Sequence, residues 1–239
     1  MIDGKKILAV IPARGGSKGI KNKNIIKLQG KHLIGYTIDV CAESSYIDEY
    51  IVSTDSENIK EVSELYGAKV PFLRPENLAD DRAKSIDVVL HAVGEMEKRV
   101  GKYEIVILLQ PTSPLRTAED LDKAILDFLK SGAESLVSVC ESEKSPIIMR
   151  EIKEGRLTEI VNFRGNNTRR QELPTYYVFN GAIYINAVNM IKEKRCFVDE
   201  DTIPFIMDKS HSVDIDDEKD LIIAGYYLNR RKENQNEKR

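Results

Sequence analysis

Cysteine is scarce in this chain: there are three in 239 residues, Cys41, Cys140 and Cys196, odd in number and far apart. That spacing excludes a disulfide framework and a zinc knuckle. Each is expected to be a small buried apolar residue, in a reducing, cytoplasmic setting. No apolar run approaches the roughly 20 residues of a membrane span. The N-terminal run from Ile7 to Ile11 is too short for a signal-peptide core, so no membrane partner is expected. A basic excess is also missing, since 36 Lys and Arg stand against 39 Asp and Glu. With a pI near 5.8, a general nucleic-acid partner is excluded. There is no internal repeat. What is present in quantity is apolar residue, 41% of the chain, enough for one large domain with a real core.

The charge that does exist is unevenly placed. From Arg14 to Lys27 there are five basic residues and no acid, in a chain of net charge −3. This basic stretch, ARGGSKGIKNKN, follows an apolar run that ends at Pro12. Glycines let backbone N–H groups approach an anion closely, and Lys and Arg add full charges to those hydrogen bonds. The pattern reads as a phosphate-holding loop, against the plainer alternative of a solvated basic turn. It is not a Walker loop, because G-x-x-x-x-G-K-[ST] is absent. Nor does Gly15-Gly16-Ser17-Lys18-Gly19 have the G-x-G-x-x-G spacing of a dinucleotide fingerprint.

Along the first 140 residues, strand and helix patterns alternate. Strands are predicted at residues 6–11, 50–53, 69–72, 105–109 and 135–140, and helices at 33–43, 57–66, 84–99 and 118–130. Thr117 and Asp120 have nearly the spacing of a capping box, and Gly67 and Gly132 stand where C-terminal caps are expected. The alternation predicts an α/β fold, a mostly parallel sheet with helices on both faces. Residues 141–179 break the rhythm with a polar, mixed stretch that holds a hairpin around Glu154-Gly155. A strand at 181–186, a helix at 187–194, a strand at 212–215 and a helix at 217–229 follow. The predicted organisation is one domain over residues 1–229, with 141–179 as an insertion and 230–239 as a disordered tail.

In an open α/β sheet, ligands bind beyond the carboxyl ends of the strands. The basic loop follows the first strand, and Gln110-Pro-Thr-Ser-Pro-Leu-Arg116 follows the strand at 105–109. In the predicted strand at 212–215, alternation places Asp214 and Asp216 on one face, with Val213 and Ile215 on the other. Two carboxylates opposite a phosphate-holding loop suit Mg²⁺; the alternative is a solvated acidic helix start.

Six strings stand in order across nearly the whole chain: PARGGSKGIKNKN, LRPENLADDRAKS, LLQPTSPLR, RRQELP, FNGAIYI and SVDIDDEKDL. Together they resemble the bacterial acylneuraminate cytidylyltransferases, the CMP-sialic acid synthetases. The resemblance implies a nucleotide-diphospho-sugar transferase-like fold and transfer of CMP from CTP to a nine-carbon 2-keto sugar acid, with pyrophosphate released. It implies Mg²⁺ as cofactor and a homodimer, with 141–179 as the dimerisation segment. By position it assigns Arg14, Ser17, Lys23 and Asn24 to the CTP phosphates and ribose, and Arg74, Ala83 and Ser85 to the cytosine. It assigns Gln110, Asn180 and Tyr184 to the sugar acid, with Arg170 reaching the sugar carboxylate from the partner subunit. Asp214 and Asp216 match the metal pair, and Arg14, Lys23 and Asp216 match the catalytic set. Sialic-acid members can carry Lys at the position of Ile148 and Arg at that of Val178. The resemblance therefore leaves N-acetylneuraminate and relatives such as legionaminate both open. An octulosonate cytidylyltransferase and a non-catalytic nucleotide-binding regulator are the competing readings.

Overall fold

The computed structural model describes residues 1–2, 4–16, 19–161 and 174–237. A six-stranded sheet organises the molecule: β1 (Ile7–Pro12), β4 (Glu49–Ser53), β5 (Ile105–Leu108), β6 (Ser135–Glu141), β9 (Tyr177–Ala187) and β10 (Ile203–Ile206), in the order β10-β6-β9-β5-β1-β4. β1 pairs in parallel with β4 and β5, and β10 in parallel with β6. Only β9 runs antiparallel, between β5 and β6. Among the described residues two small hairpins add the remaining strands, β2 (Lys27–Leu28) with β3 (Lys31–His32), and β7 (Arg150–Lys153) with β8 (Arg156–Glu159).

The helices are α1 (Leu33–Glu43), α2 (Glu57–Leu65), α3 (Ser85–Val100), α4 (Ala118–Ser131), α5 (Val188–Lys194) and α6 (Glu218–Glu237). The period-2 pattern of β1 separates two cores. Ile7, Ala9 and Ile11 face a core built with Ile34 and Ile38 of α1 and Leu121, Ile125 and Phe128 of α4. Leu8 and Val10 face a core with Val89 and Val93 of α3 and Val188 and Ile191 of α5. Helices therefore cover both faces, as the sequence predicts. Thr117 caps α4 as expected: its hydroxyl accepts the Asp120 N–H at 3.0 Å, while Asp120 accepts the Thr117 N–H at 2.9 Å.

Four elements differ from expectation. Residues 69–72 make only isolated bridges, Ile51 with Lys69 and Thr54 with Leu73, because Pro71 removes a ladder donor. Residues 212–215 form no strand, and Ile215 is held instead by its N–H to the Thr112 carbonyl at 2.8 Å. α6 continues through Glu237, so 230–237 are helical where a disordered tail was expected. β10 was not legible, being a four-residue edge strand with a proline.

The chain leaves β1 outward to β4, then returns to β5 on the other side of β1. The carboxyl ends of β1 and β5 thus form the point where strand order reverses, the usual place for a ligand.

Candidate active site

A cavity of about 490 Å³ opens at that point. It is lined by the loop after β1, the turn after β5, the residues leading into α3 and the segment before α6. Of the residues singled out in the sequence, Arg14, Lys23, Asn24, Arg74, Ala83, Ser85, Gln110, Asp214 and Asp216 all line it. Ser17 and Arg170 lie outside the described residues.

The basic loop is tied down at several points. The Asn24 amide donates to the Arg14 carbonyl at 3.0 Å, and the Gly15 N–H donates to Asp55 at 2.9 Å. Lys23 Nζ donates to the Ile215 carbonyl at 2.7 Å and to Asp216 Oδ1 at 3.1 Å. These two bonds join the loop to the segment that carries both aspartates. Gly19 stands at the same junction, where an added Cβ would meet the Asp216 carbonyl oxygen at 2.7 Å. Only a residue without a Cβ fits there. Arg14 pairs with Asp81 at 2.6 Å.

Asp214 and Asp216 line the same cavity although they are not on a strand. Buried Ile215 between them turns into the core, so the two carboxylates still share one side. Their environments differ. Burial raises the Asp214 carboxyl above its usual range; a Thr112 hydrogen bond opposes that shift, the nearby Asp216 charge adds to it and Lys23 opposes it. Asp214 Oδ1 is buried and accepts no hydrogen bond, whereas the Asp216 side chain is 82% exposed. A buried carboxylate oxygen without a donor is an acceptor awaiting a partner. Among the described residues no group of three or more His, Cys, Asp or Glu could hold a metal alone. A two-carboxylate set fits a hard divalent cation that draws its other ligands from water and substrate phosphates.

Gly181 adopts a φ of +70°, and a Cβ built on it would lie 3.0 Å from Asp214 Oδ2 and 3.1 Å from Gln110 Oε1. This kink in β9 lets a carboxylate and an amide converge. The sequence displays the glycine within FNGAIYI, but nothing local reveals the required φ. Beneath it lies Arg116, which sequence reasoning did not single out. Its guanidinium is fully buried, donating to the Ala182 carbonyl and to Thr37 Oγ1, and burial pulls its pKa down to about 10.

Other assigned residues are placed in less direct ways. The Arg74 guanidinium is buried and donates to the hydroxyl and carbonyl of Ser53 and to the Leu78 carbonyl. It braces the wall that carries Ala83 and Ser85, and burial lowers its pKa to about 10. Asn180 does not line the cavity. Its Oδ1 accepts from Ser138 Oγ at 2.6 Å and from the Ala182 N–H, and its Nδ2 donates to Ser212 Oγ at 3.0 Å. It thereby ties β9 to β6 and to the segment before Asp214. Tyr184 lies behind the cavity with its ring 5.8 Å from that of Phe197. Burial raises its phenol pKa, and the Asp214 charge adds to the shift.

A mostly parallel sheet with a basic, glycine-containing loop at its switch point defines a nucleotidyltransferase-like fold. Residues 8–202 match the Cytidylyltransferase family, and the chain belongs to that family of nucleotidyltransferase enzymes. It is 39% identical over 213 residues to the CMP-N,N'-diacetyllegionaminic acid synthase of Legionella pneumophila, covering 88% of this chain and 91% of that protein. It is 36% identical over 220 residues to the N-acylneuraminate cytidylyltransferase of Escherichia coli O18:K1:H7, covering 92% of this chain and 51% of that longer protein. It is 34% identical over 219 residues to the pseudaminic acid cytidylyltransferase of Campylobacter jejuni, covering 92% and 94%. Among solved structures, a CMP:2-keto-3-deoxy-manno-octonic acid synthetase complexed with CTP has a TM-score of 0.70 at 15% identity, over 95% of this chain and 99% of that one. That last likeness concerns the fold.

Proposed function

We propose that the protein transfers CMP from CTP to the anomeric hydroxyl of a nonulosonic acid, a nine-carbon 2-keto sugar acid of the sialic, legionaminic or pseudaminic type, and releases pyrophosphate. The observation that carries this reading is the cavity at the switch point. Cations on the β1 loop face two carboxylates there, with Gln110 beside Asp214. The relatives named for those three acids, at 34–39% identity, supply the substrate class.

In this reading the cytosine lies against Ala83, Ser85 and Val88, on the wall braced by Arg74. The phosphates meet the β1 loop. The anomeric oxygen attacks the α-phosphorus, the bond from that phosphorus to the bridging oxygen breaks, and negative charge grows on the departing pyrophosphate. Arg14 and Lys23 stabilise that charge, and Lys23 is held in place beforehand by the Ile215 carbonyl. Gln110 orients the sugar acid toward the nucleotide. The hydroxyl proton needs an acceptor within reach, and the exposed Asp216 carboxylate lines the cavity where that oxygen would lie. Asp214 and Asp216 would hold Mg²⁺, which neutralises phosphate charge when bound.

The protein is also proposed to act as a homodimer through residues 141–179. β7 and β8 are exposed along their whole length, with Ile152 and Leu157 each 73% exposed, and Tyr177, Val178 and Phe179 are half exposed at the start of β9. Exposed apolar side chains grouped in this way support the reading of an interface. Ile148 and Val178 lie on this surface and do not line the cavity. The resemblance assigns Arg170 to the sugar carboxylate from a second copy of the chain, and a dimer is what that assignment requires. Light scattering at working concentration is expected to give a dimer, and a monomer would remove this part of the proposal.

The test of the activity is pyrophosphate release with CTP, Mg²⁺ and a panel of N-acetylneuraminate, legionaminate, pseudaminate and 3-deoxy-manno-octulosonate. Turnover with one of the three nonulosonic acids well above the octulosonate is expected. CTP binding with no pyrophosphate from any acceptor would point to a regulator instead.

A further inference from the structure

The strands that lead to Gln110 and Gly181 are not paired where these two residues stand. The β5–β9 ladder ends at Leu108 with Tyr184. On the other side of β9 the register jumps from Val137–Tyr184 to Val139–Phe179, so residues 180–183 fall between the ladders. Backbone pairing therefore does not set the distance between the Gln110 amide and the kink at Gly181. Side chains do. Asn180 Oδ1 accepts the Ala182 N–H at 3.2 Å, and Ser138 Oγ accepts the Ile183 N–H at 2.7 Å. The Ala182 carbonyl is taken by Arg116, at the far end of the turn that Gln110 opens. The second arm of the guanidinium donates to Thr37 Oγ1 at 2.8 Å, and that hydroxyl donates in turn to the Gln110 carbonyl at 3.4 Å. One side chain thus spans the gap, from the kinked strand to the backbone of Gln110.

Stability is a poor reason for an arginine at this place. Both its acceptors are neutral oxygens, and its Nε–H is buried without an acceptor. A buried cation with an unmatched donor is costly. What the guanidinium offers is a planar fork that reaches two oxygens of different segments in one fixed geometry, which a lysine ammonium does not reproduce. We propose that Arg116 is a positioning residue for the acceptor half of the cavity: through Ala182 and Thr37 it fixes Gln110 against the Gly181 kink, where the amide and Asp214 converge. Arg116 itself is buried and does not line the cavity. The proposal rests on the reading that Gln110 orients the sugar acid. The nucleotide half is held by other bonds, Lys23 by the Ile215 carbonyl and the wall of Ala83 by Arg74. Loosening the Arg116 link therefore misplaces the sugar acid and leaves CTP bound as before.

The experiment measures pyrophosphate release at saturating CTP and Mg²⁺, with N-acetylneuraminate, legionaminate and pseudaminate as varied acceptors, beside calorimetric titration with CTP alone. Thr37→Val keeps the shape of the side chain and removes the hydroxyl link. It is expected to lower acceptor kcat/KM about 10-fold through misplacement of the acceptor, with the Kd for CTP within about twofold of wild type. Thr37→Ser keeps the hydroxyl and is expected to restore acceptor kcat/KM to within about threefold of wild type. Arg116→Lys keeps the charge without the fork, and a loss at least as large as that of Thr37→Val is expected; should it fail to fold by circular dichroism, the Thr37 pair decides. Wild-type acceptor kcat/KM in Thr37→Val or in folded Arg116→Lys overturns the proposal. So does a Kd for CTP that weakens in step with acceptor kcat/KM, the mark of a general loosening, or a Thr37→Ser variant that behaves as Thr37→Val. If the wild type binds CTP but uses none of the three acids, the transfer reading falls, and the Gln110 side-chain amide resonance in isotope-labelled protein decides the positioning. A resonance displaced in Thr37→Val and returned in Thr37→Ser supports it, and any other pattern overturns it.

Discussion

Replacing Gly19 by Ala inserts one methyl group at the junction between the basic loop and the aspartate segment. The added Cβ would lie 2.7 Å from the Asp216 carbonyl oxygen, where ordinary contact begins at 3.4 Å. The obstacle is backbone, so no side chain can swing aside. The two segments have to separate by most of an ångström, and the Lys23 bonds to Ile215 and Asp216 span that same gap. A displacement of about 1 Å in a catalytic array can cost on the order of 10²-fold in rate. We expect kcat for pyrophosphate release to fall about 10- to 100-fold. Stability should change little, because both segments border the cavity and can part toward it; a shift of about 1 kcal/mol would move Tm by only about 2–4 °C for a chain of this size. Gly16→Ala is the internal control. It lies in the same loop, its Cβ would meet nothing within 4 Å, and wild-type turnover is expected. If Gly19→Ala retains turnover within threefold of wild type, or if Gly16→Ala loses as much, the steric argument fails.

Arg14→Ala and Lys23→Ala should each lower kcat/KM by about 10²–10³, the usual loss for one donor to developing charge; near-normal turnover in folded protein would reduce the loop to a solvated turn. Asp214→Asn should weaken the Mg²⁺ dependence of turnover with the fold intact by circular dichroism, and activity indifferent to EDTA would give the carboxylates another role. CTP should exceed UTP as donor, since a wall matched to one pyrimidine edge leaves groups unpaired against the other; equal kcat/KM for the two would remove the base assignment from Ala83 and Ser85. Thr117→Ala should destabilise the protein by about 1 kcal/mol through loss of the α4 cap, read by urea unfolding, with kcat unchanged.

Much of the sheet was legible because its signals are local. The continuous apolar run of β1, a capping box at α4 and Gly132 after it each state their structure within a few residues. The failures have local causes too. Pro71 stops a ladder that Lys69 and Val70 would otherwise join, and Pro204 hides an edge strand. At 212–215 the alternation was real but the ladder was not: Ile215 turns inward by packing, with a single backbone bond to Thr112. The placement of Asp214 and Asp216 on one side therefore followed from the right pattern and the wrong element. The cavity wall was legible wherever a residue type announces its chemistry, as with Arg14, Lys23 and Gln110. It was not legible where geometry alone matters. The φ of Gly181, the unbonded oxygen of Asp214 and the burial of Arg116 depend on segments far apart in the chain.

The electrostatics of the cavity turn on one contrast. A loop with five cations would hold stray anions tightly if each cation were bare, and the pyrophosphate product would then leave slowly. Among the described residues, Arg14 is matched to Asp81 and Lys23 to Asp216. The two matches are not alike. Lys23 is largely buried and also bonded to a carbonyl, so its position is set by the fold and is ready before substrate arrives. Arg14 pairs at 2.6 Å with a carboxylate on a separate turn, the one that leads into α3. A fixed cation such as Lys23 supplies preorganisation, which serves the transition state. The acids of this chain are therefore as much a part of the phosphate site as its bases, and the overall net charge of −3 conceals a cavity in which each sign has a separate task.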